Sequence, residues 1–316
     1  MSRSTETAPG PFQPMEPVLS ERVIEGRDRL YQVKWDGVRV LSQVEGGEVR
    51  LWNRRRRDRT ATYPELVAAL KATGAKSAVM DGEVIALDPQ TGKPDFFRVL
   101  KRDLSRRIGP GLREKVPVYY VVFDLIYLEG QWLTDLSLEE RLKRLSQILP
   151  DSGPIQYCDS YEDGTALWER TREQGLEGIV IKERHGRYHI GKKHATWLKV
   201  KHFRQLEAVV VGVTLRQGRV NSLLLARAEE GRFTYIGRAA SGLDQDRIEA
   251  LTRALSHIRR EDPPPTLSPV PQGEKVWLEP VIWARVRYLE WTPDGTLRNP
   301  SILSLEVKKS IPDSDR

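Results

Sequence analysis

The second half of the chain is cut into short apolar strands by glycine turns, and this texture limits the fold more than any other feature. Leu206–Leu215, Ser222–Ala228 and Phe233–Ala239 are β-branched and apolar runs separated by turns containing Gly218 and Gly231, the pattern of strands joined through tight turns. A helix is expected from Asp244 to His257, then a proline-rich link at Pro263–Pro265, then two further strands, Lys275–Leu278 and Ala284–Trp291. About five short strands and one helix in ~110 residues suit a small β-barrel of the OB type.

The first half mixes strand and helix signals. Leu30 to Trp52 alternates, with Val38, Val40 and Val44 before Gly46-Gly47 and Val49 and Leu51 after it, which reads as strands joined by a turn. Ser77–Leu87 and Val116–Leu128 are strand-like, and short strands are expected near Gly178–Lys182 and Thr196–Lys201. Helices are expected over Pro64–Ala72, over Thr165–Gln174, and from the capping box Ser137-Leu-Glu-Glu140 to Leu149. The first ~20 residues, rich in Pro and Ser, are expected to be poorly ordered up to Pro17. The chain therefore reads as α+β, with no internal repeat and two domains, 1–203 and 204–316.

Composition excludes several classes. Hydrophobic residues at 39% and charged residues at 30% describe a globular chain rather than a disordered one. Apolar runs such as Val118–Ile126 and Ala208–Val213 are too short to cross a bilayer, and residues 1–20 carry no secretory pattern. A single cysteine, Cys158, excludes a disulfide framework and a cysteine zinc site, and fits a reducing cytoplasm. The net charge of +7 suits a polyanionic partner, the more so because Arg54–Arg57 and Lys182–Lys201 are dense in basic residues.

The chemistry centres on Lys34-Trp35-Asp36-Gly37-Val38-Arg39. A lysine at the end of a strand, with Gly37 letting the backbone turn, can present its amine to a buried phosphate. An amine with a pKa of about 10.4 is a poor nucleophile near neutrality, so the site must desolvate it or set it beside other cations. Four residues alone equally suit a surface turn. They are followed in order by Asn53-Arg54-Arg55, Asp81-Gly82-Glu83, Phe123-Asp124, Glu177-Gly178-Ile179-Val180-Ile181-Lys182 and Trp197-Leu198-Lys199-Val200-Lys201. Lys199 and Lys201, one residue apart, fall on one strand face. That face could gather charge around a phosphate or simply be solvated.

In this ordered set the chain resembles the covalent nucleotidyltransferases, and among them the ATP-dependent DNA ligases, most closely the ligase module of bacterial ligase D and its stand-alone relatives. The likeness runs from about Glu16 to Lys309. It implies a nucleotidyltransferase domain of ATP-grasp-like antiparallel sheets with helices, followed by the OB-fold barrel. It also implies sealing of 5′-phosphate/3′-hydroxyl nicks in repair or end joining, through a lysyl-AMP and then a DNA-adenylate. Lys34 would attack ATP, with Lys199 and Lys201 beside the transferred phosphate. Glu177, Asp36 and Glu83 would serve a divalent metal, Mg or Mn, with Glu83 also near the ribose. Phe123 and Val180 would sandwich the adenine, Gln32 would accept from its amine, and Arg39 and Arg54 would grip ribose and nicked-strand phosphate. Lys309 would orient pyrophosphate. The implied partners are nicked double-stranded DNA, a Ku-type end-binding protein and a separately encoded repair polymerase, for a monomer at the nucleoid.

Some positions depart from the family pattern. Gln32 stands where many relatives have Glu, Arg56 where bacterial relatives often have Gly, and the last segment, begun at Arg298-Asn299-Pro300-Ser301, ends Lys308-Lys309 rather than Asp-Lys. His185, His189 and His194 have ligand-like spacings but lie among Arg187, Lys192 and Lys193, which suits a basic loop near DNA better than a metal site. The competing readings are an RNA ligase or RNA-capping guanylyltransferase of the same superfamily, or a catalytically silent nucleic-acid-binding module.

Overall fold

The computed structural model describes residues 8–149 and 153–308. The chain divides into two compact units, Met1–His202 and Phe203–Arg316.

The first unit carries β1 (Glu16–Leu19), β2 (Arg29–Val33), β3 (Val38–Glu45), β4 (Glu48–Asn53), α1 (Pro64–Lys71), β5 (Ser77–Ala86), α2 (Phe96–Leu104), α3 (Pro110–Lys115), β6 (Val118–Leu128), β7 (Gln131–Trp132), α4 (Leu138–Ile148), β8 (Ile155–Tyr157), α5 (Gly164–Glu173), β9 (Gly178–Glu183) and β10 (Lys193–Lys201). Two sheets form, one in the order β1-β10-β9-β2 and one in the order β4-β3-β5-β6-β7 with β8 beside β6. Neighbours pair antiparallel except β1 with β10 and β8 with β6. Leu66 and Leu70 of α1 and Leu142 and Leu145 of α4 bury one face of the larger sheet against Val40, Val84 and Val122. The Ser137 hydroxyl accepts from the Glu140 N–H while the Glu140 carboxylate accepts from the Ser137 N–H, so the expected capping box closes and fixes where α4 begins.

Two expectations fail here. From Ala8 to Glu16 the segment is not loose: Ala8 and Met15 are buried, and Phe12 packs with them against Tyr127, Tyr188 and Trp197; residues 1–7 lie outside the described residues. Apolar residues among the prolines outweigh a composition that looks like linker. Helices α2 and α3 were not anticipated either. Asp95 caps α2 by accepting from the N–H groups of Phe97 and Arg98, and the helix buries charged residues, Arg102 and Asp103, where an apolar stripe would have signalled it.

The second unit carries β11 (Arg204–Arg216), β12 (Arg219–Glu229), β13 (Arg232–Ala239), α6 (Gln245–Ile258), β14 (Arg259–Arg260), β15 (Leu267–Ser268), β16 (Val276–Tyr288) and β17 (Ser301–Val307). The sheet order is β14-β16-β11-β12-β13-β15, with β17 on β16. A bridge from Ser241 to Ser301 curls the sheet toward closure, and the Ile302 N–H donates to Ser241 O at 2.8 Å. The two expected strands Lys275–Leu278 and Ala284–Trp291 are one strand, β16, whose pairing with β11 slips between Val210 and Gly212, opposite the stretch around Pro280. A proline is tolerated at such an irregularity, and it split the sequence pattern in two. β17 was not anticipated.

Candidate active site

Lys34 leaves the end of β2, its N–H donating to Gly178 O at 2.9 Å and continuing the ladder to β9. The chain then turns toward β5 at Gly37, where a Cβ would lie 2.1 Å from Val84 O, so no other residue fits that approach. Gly178 is equally constrained, with φ 147° and Val200 O 2.0 Å from an added Cβ. Pairing across β2, β9 and β10 then sets the site in rows. Gln32 faces Val180, which faces Lys199, and one step along Gly178 faces Lys201 beside Lys34. The two-residue strand period puts all of these on one face.

Lys34 Nζ lies 2.5 Å from Glu177 Oε2, and Lys201 Nζ 2.8 Å from Glu177 Oε1, so one almost fully buried carboxylate spans two lysines. Burial works against the Lys34 charge, but Glu177, Glu83 and Asp36 outweigh it and raise the pKa above the ordinary lysine value. Of the two expected devices, desolvation or neighbouring cations, burial is present, but in the ligand-free site the carboxylates outweigh it. Lys34 rests protonated among the carboxylates that the sequence offered as metal ligands, and the fold brings them against the amine. Glu177 is held low despite its burial by Lys34 and Lys201. Glu83 is pushed up to about 8, first by burial, with Glu177 and Asp36 adding repulsion that Lys34 and Arg39 only partly offset. Lys199 is lowered by burial and by the charges of Lys201 and Lys34.

Next to this cluster lies a cleft of about 190 Å³ whose walls include Gln32, Phe123, Val180, Lys182 and Trp197. The Phe123 ring stands edge-on to Trp197 at 6.1 Å. Gln32 is buried, and its amide nitrogen donates to Ser160 Oγ at 3.0 Å. That commitment leaves the carbonyl oxygen for the cleft. Arg39 lines the same cleft, but its Nε and Nη2 are engaged by the fully buried Asp81 at 2.9 and 2.5 Å, and its guanidinium lies 5.3 Å from the Phe123 centroid. Two of its donor groups are thus spent on the protein. Arg54, 57% exposed, reaches the rim, with Glu16 Oε1 at 3.5 Å. The Arg54–Arg57 loop is tied by Asn53 Oδ1, which accepts from the N–H groups of Arg55 and Arg57, and Arg56 sits at φ 59°. That left-handed backbone is the conformation a glycine adopts without cost.

Several residues of the site escaped the sequence reading. Lys182 is buried, with Nζ 3.1 Å from Phe123 O and 4.1 Å from the Trp197 centroid. Burial lowers its pKa to about 8, against the pull of Asp124 and Asp81. Asp124 and Arg141, both fully buried, form a two-pronged pair at 2.7 and 2.9 Å that anchors α4 behind Phe123. Asp81 and Tyr188 meet at 2.6 Å although 107 residues apart. Of these, Asp81, Asp124 and Lys182 lay within segments already singled out. The hairpin from β9 to β10 stacks His189 on His194 at 3.9 Å. In the second unit Lys308 Nζ donates to Glu207 Oε2 at 3.1 Å and lies 4.8 Å from the Trp283 ring. Lys309 lies outside the described residues.

The donor set fits a nucleotide and a divalent ion. Flat apolar walls and one amide oxygen suit a base, and lysines at one end suit phosphates. Among the described residues no three metal-binding side chains converge into a cage. Crowding of Glu83 by Glu177 and Asp36 nevertheless marks a place where an added cation relieves repulsion, and magnesium needs only one or two carboxylates beside phosphate oxygens and water.

A lysine, three carboxylates and two further lysines around one cleft, in a two-sheet domain followed by a curled OB barrel, define a covalent nucleotidyltransferase. The model of the ATP dependent DNA ligase domain matches residues 14–201, and that of the ATP dependent DNA ligase C terminal region matches residues 216–309. The chain belongs to the ATP-dependent DNA ligase family. It is 31% identical over 287 residues to the multifunctional non-homologous end joining DNA repair protein LigD of Mycobacterium tuberculosis, covering 88% of this chain and 36% of LigD. It is 32% identical over 329 residues to a probable DNA ligase of Streptomyces griseus, covering 96% of this chain and 62% of that one. The structure of mycobacterial DNA ligase D complexed with ATP and MES matches with a TM-score of 0.53 at 29% identity, covering 94% of this chain and 96% of that one. The chain thus spans about a third of the length of the LigD relatives.

Proposed function

We propose that the protein seals nicks in double-stranded DNA at the expense of ATP, with Lys34 carrying the AMP. The observation that carries this reading is the placement of Lys34, Glu177 and Lys201 in direct contact at the end of an aromatic cleft. The Lys34 amine, once it has given up its proton, attacks the α-phosphorus of ATP. A P–N bond forms as the bond to pyrophosphate breaks. The AMP then passes to the 5′-phosphate at the nick, and attack by the 3′-hydroxyl joins the strands and releases it.

Lys199 and Lys201 lie where charge builds on the transferred phosphate. Glu177, with Asp36 and Glu83, would hold a divalent ion, which when bound neutralises phosphate charge. In the resting site Glu177 keeps Lys34 protonated, so turning that carboxylate toward another cation frees the amine. Phe123 and Val180 flank the base, Gln32 accepts from its exocyclic amine, and Arg39, with its remaining donors, and Arg54 serve ribose and phosphate. The end-joining role named for the LigD relatives supports a place in break repair at the nucleoid, as a monomer beside a Ku-type protein and a separate polymerase. Among the described residues no helix is long and apolar enough to cross a membrane.

Incubation with labelled ATP or GTP and magnesium, followed by a denaturing gel and a nick-sealing assay, tests this reading. Labelling by ATP with sealing of DNA is expected. Labelling by GTP, or sealing confined to RNA, would assign the cleft to the other branches of the superfamily.

A further inference from the structure

The amino-terminal segment makes contacts that the proposed reaction does not use. Tyr188, on the β9–β10 hairpin, is buried, and its hydroxyl donates to Asp81 Oδ2 at 2.6 Å while accepting from the Met15 N–H at 3.1 Å. Asp81 in turn holds Arg39 through both oxygens. Glu16 and Pro17, directly after Met15, line the cleft on one side, and Arg39 lines it from the larger sheet. One phenol therefore joins two walls that belong to different sheets.

We propose that Tyr188 is a positioning residue for the nucleotide cleft, tying Met15, directly before β1, to Asp81 and through it to Arg39, so that the walls hold their spacing before nucleotide arrives. The inference rests on reading the cleft as the ATP site. Without the hydroxyl, the Met15 N–H loses its acceptor and Asp81 loses a donor, both in buried surroundings where neither is replaced by water. The ring also packs edge-on against Trp197 at 5.6 Å, and phenylalanine keeps that contact. Burial and the Asp81 charge hold the Tyr188 hydroxyl well above its ordinary value, so it remains a neutral donor wherever the enzyme works. A pre-formed cleft lowers the ordering cost of binding, so the loss should fall on nucleotide affinity rather than on the chemical step.

The test is Tyr188→Phe in the full chain, with initial rates of Lys34 labelling followed against ATP concentration. The KM for ATP should rise about fivefold or more while kcat stays within about twofold. The ratio should be the same at about pH 6.5 and about pH 8.5, because the tyrosine does not titrate between them. KM does not depend on the fraction of folded enzyme, so partial misfolding lowers only kcat and cannot imitate the result. An unchanged KM, with or without a fall in kcat, overturns the proposal. Failure of the wild-type protein to be labelled by ATP would instead overturn the reading of the cleft itself.

Discussion

Replacing Glu177 by Gln should lower the pKa of Lys34 in the ligand-free protein, because the largest charge that holds it up is removed. Glu177 divides its charge between Lys34 and Lys201, and the variant leaves Glu83 and Asp36 in place. The assay is the pH dependence of reductive methylation at Lys34, read by peptide mass spectrometry without metal or nucleotide. The exposed Lys71 of α1 serves as internal reference. The midpoint for Lys34 should move down in the variant. Adenylation should nevertheless slow by about a hundredfold or more, because a metal-directing carboxylate is gone. A Lys34 midpoint that does not move down would refute the idea that Glu177 keeps the resting amine charged.

Glu83 offers a pH test of stability. Its carboxyl, raised from 4.5 to about 8 in the fold, contributes stability that is full below the unfolded value and lost as pH rises through about 8. The unfolding midpoint of the ligand-free protein should therefore fall across that window, and Glu83→Gln should flatten the fall; coincident curves would contradict it. Asp124→Asn breaks the buried pair with Arg141 and should cost about 3–5 kcal/mol. In thermal unfolding that is a drop of roughly 10 °C, and a loss below about 1 kcal/mol would show the pair to be dispensable. Exposed Arg55 and Arg57, replaced together by Ala, should flatten the salt dependence of nicked-duplex binding and leave Lys34 labelling intact. Loss of labelling would place the loop in the nucleotide site.

Local order was legible where one short segment decides it. The Ser137–Glu140 capping box, the Asp244 cap of α6 and the Gly46-Gly47 turn each set their element without help from elsewhere. The rows Gln32–Val180–Lys199 and Lys34–Gly178–Lys201 could be guessed only as segments, because strand pairing decides which residues face each other. What stayed hidden was produced by packing. The carboxylates around Lys34 come from three segments, and only Asp36 belongs to the Lys-Trp-Asp-Gly stretch, so most of what raises the pKa of the amine cannot be read there. Tyr188 and Met15 looked like parts of a basic loop and a loose tail, and only their burial against Asp81 and Trp197 shows otherwise. The β16 strand was split in reading by Pro280, whose fit depends on an irregular pairing the sequence does not display.

The central claim is that the Lys34 amine, and no other nucleophile, carries AMP. Incubation of the protein with ATP and magnesium, followed by intact-mass measurement and peptide mapping, tests it most directly. The account predicts a gain equal to one adenylyl group, mapped to the peptide containing Lys34 and absent from Lys34→Ala, with loss of nick sealing from ATP in that variant. An adenylyl group found on Lys199, Lys201 or Lys182, or retained by Lys34→Ala, would contradict it.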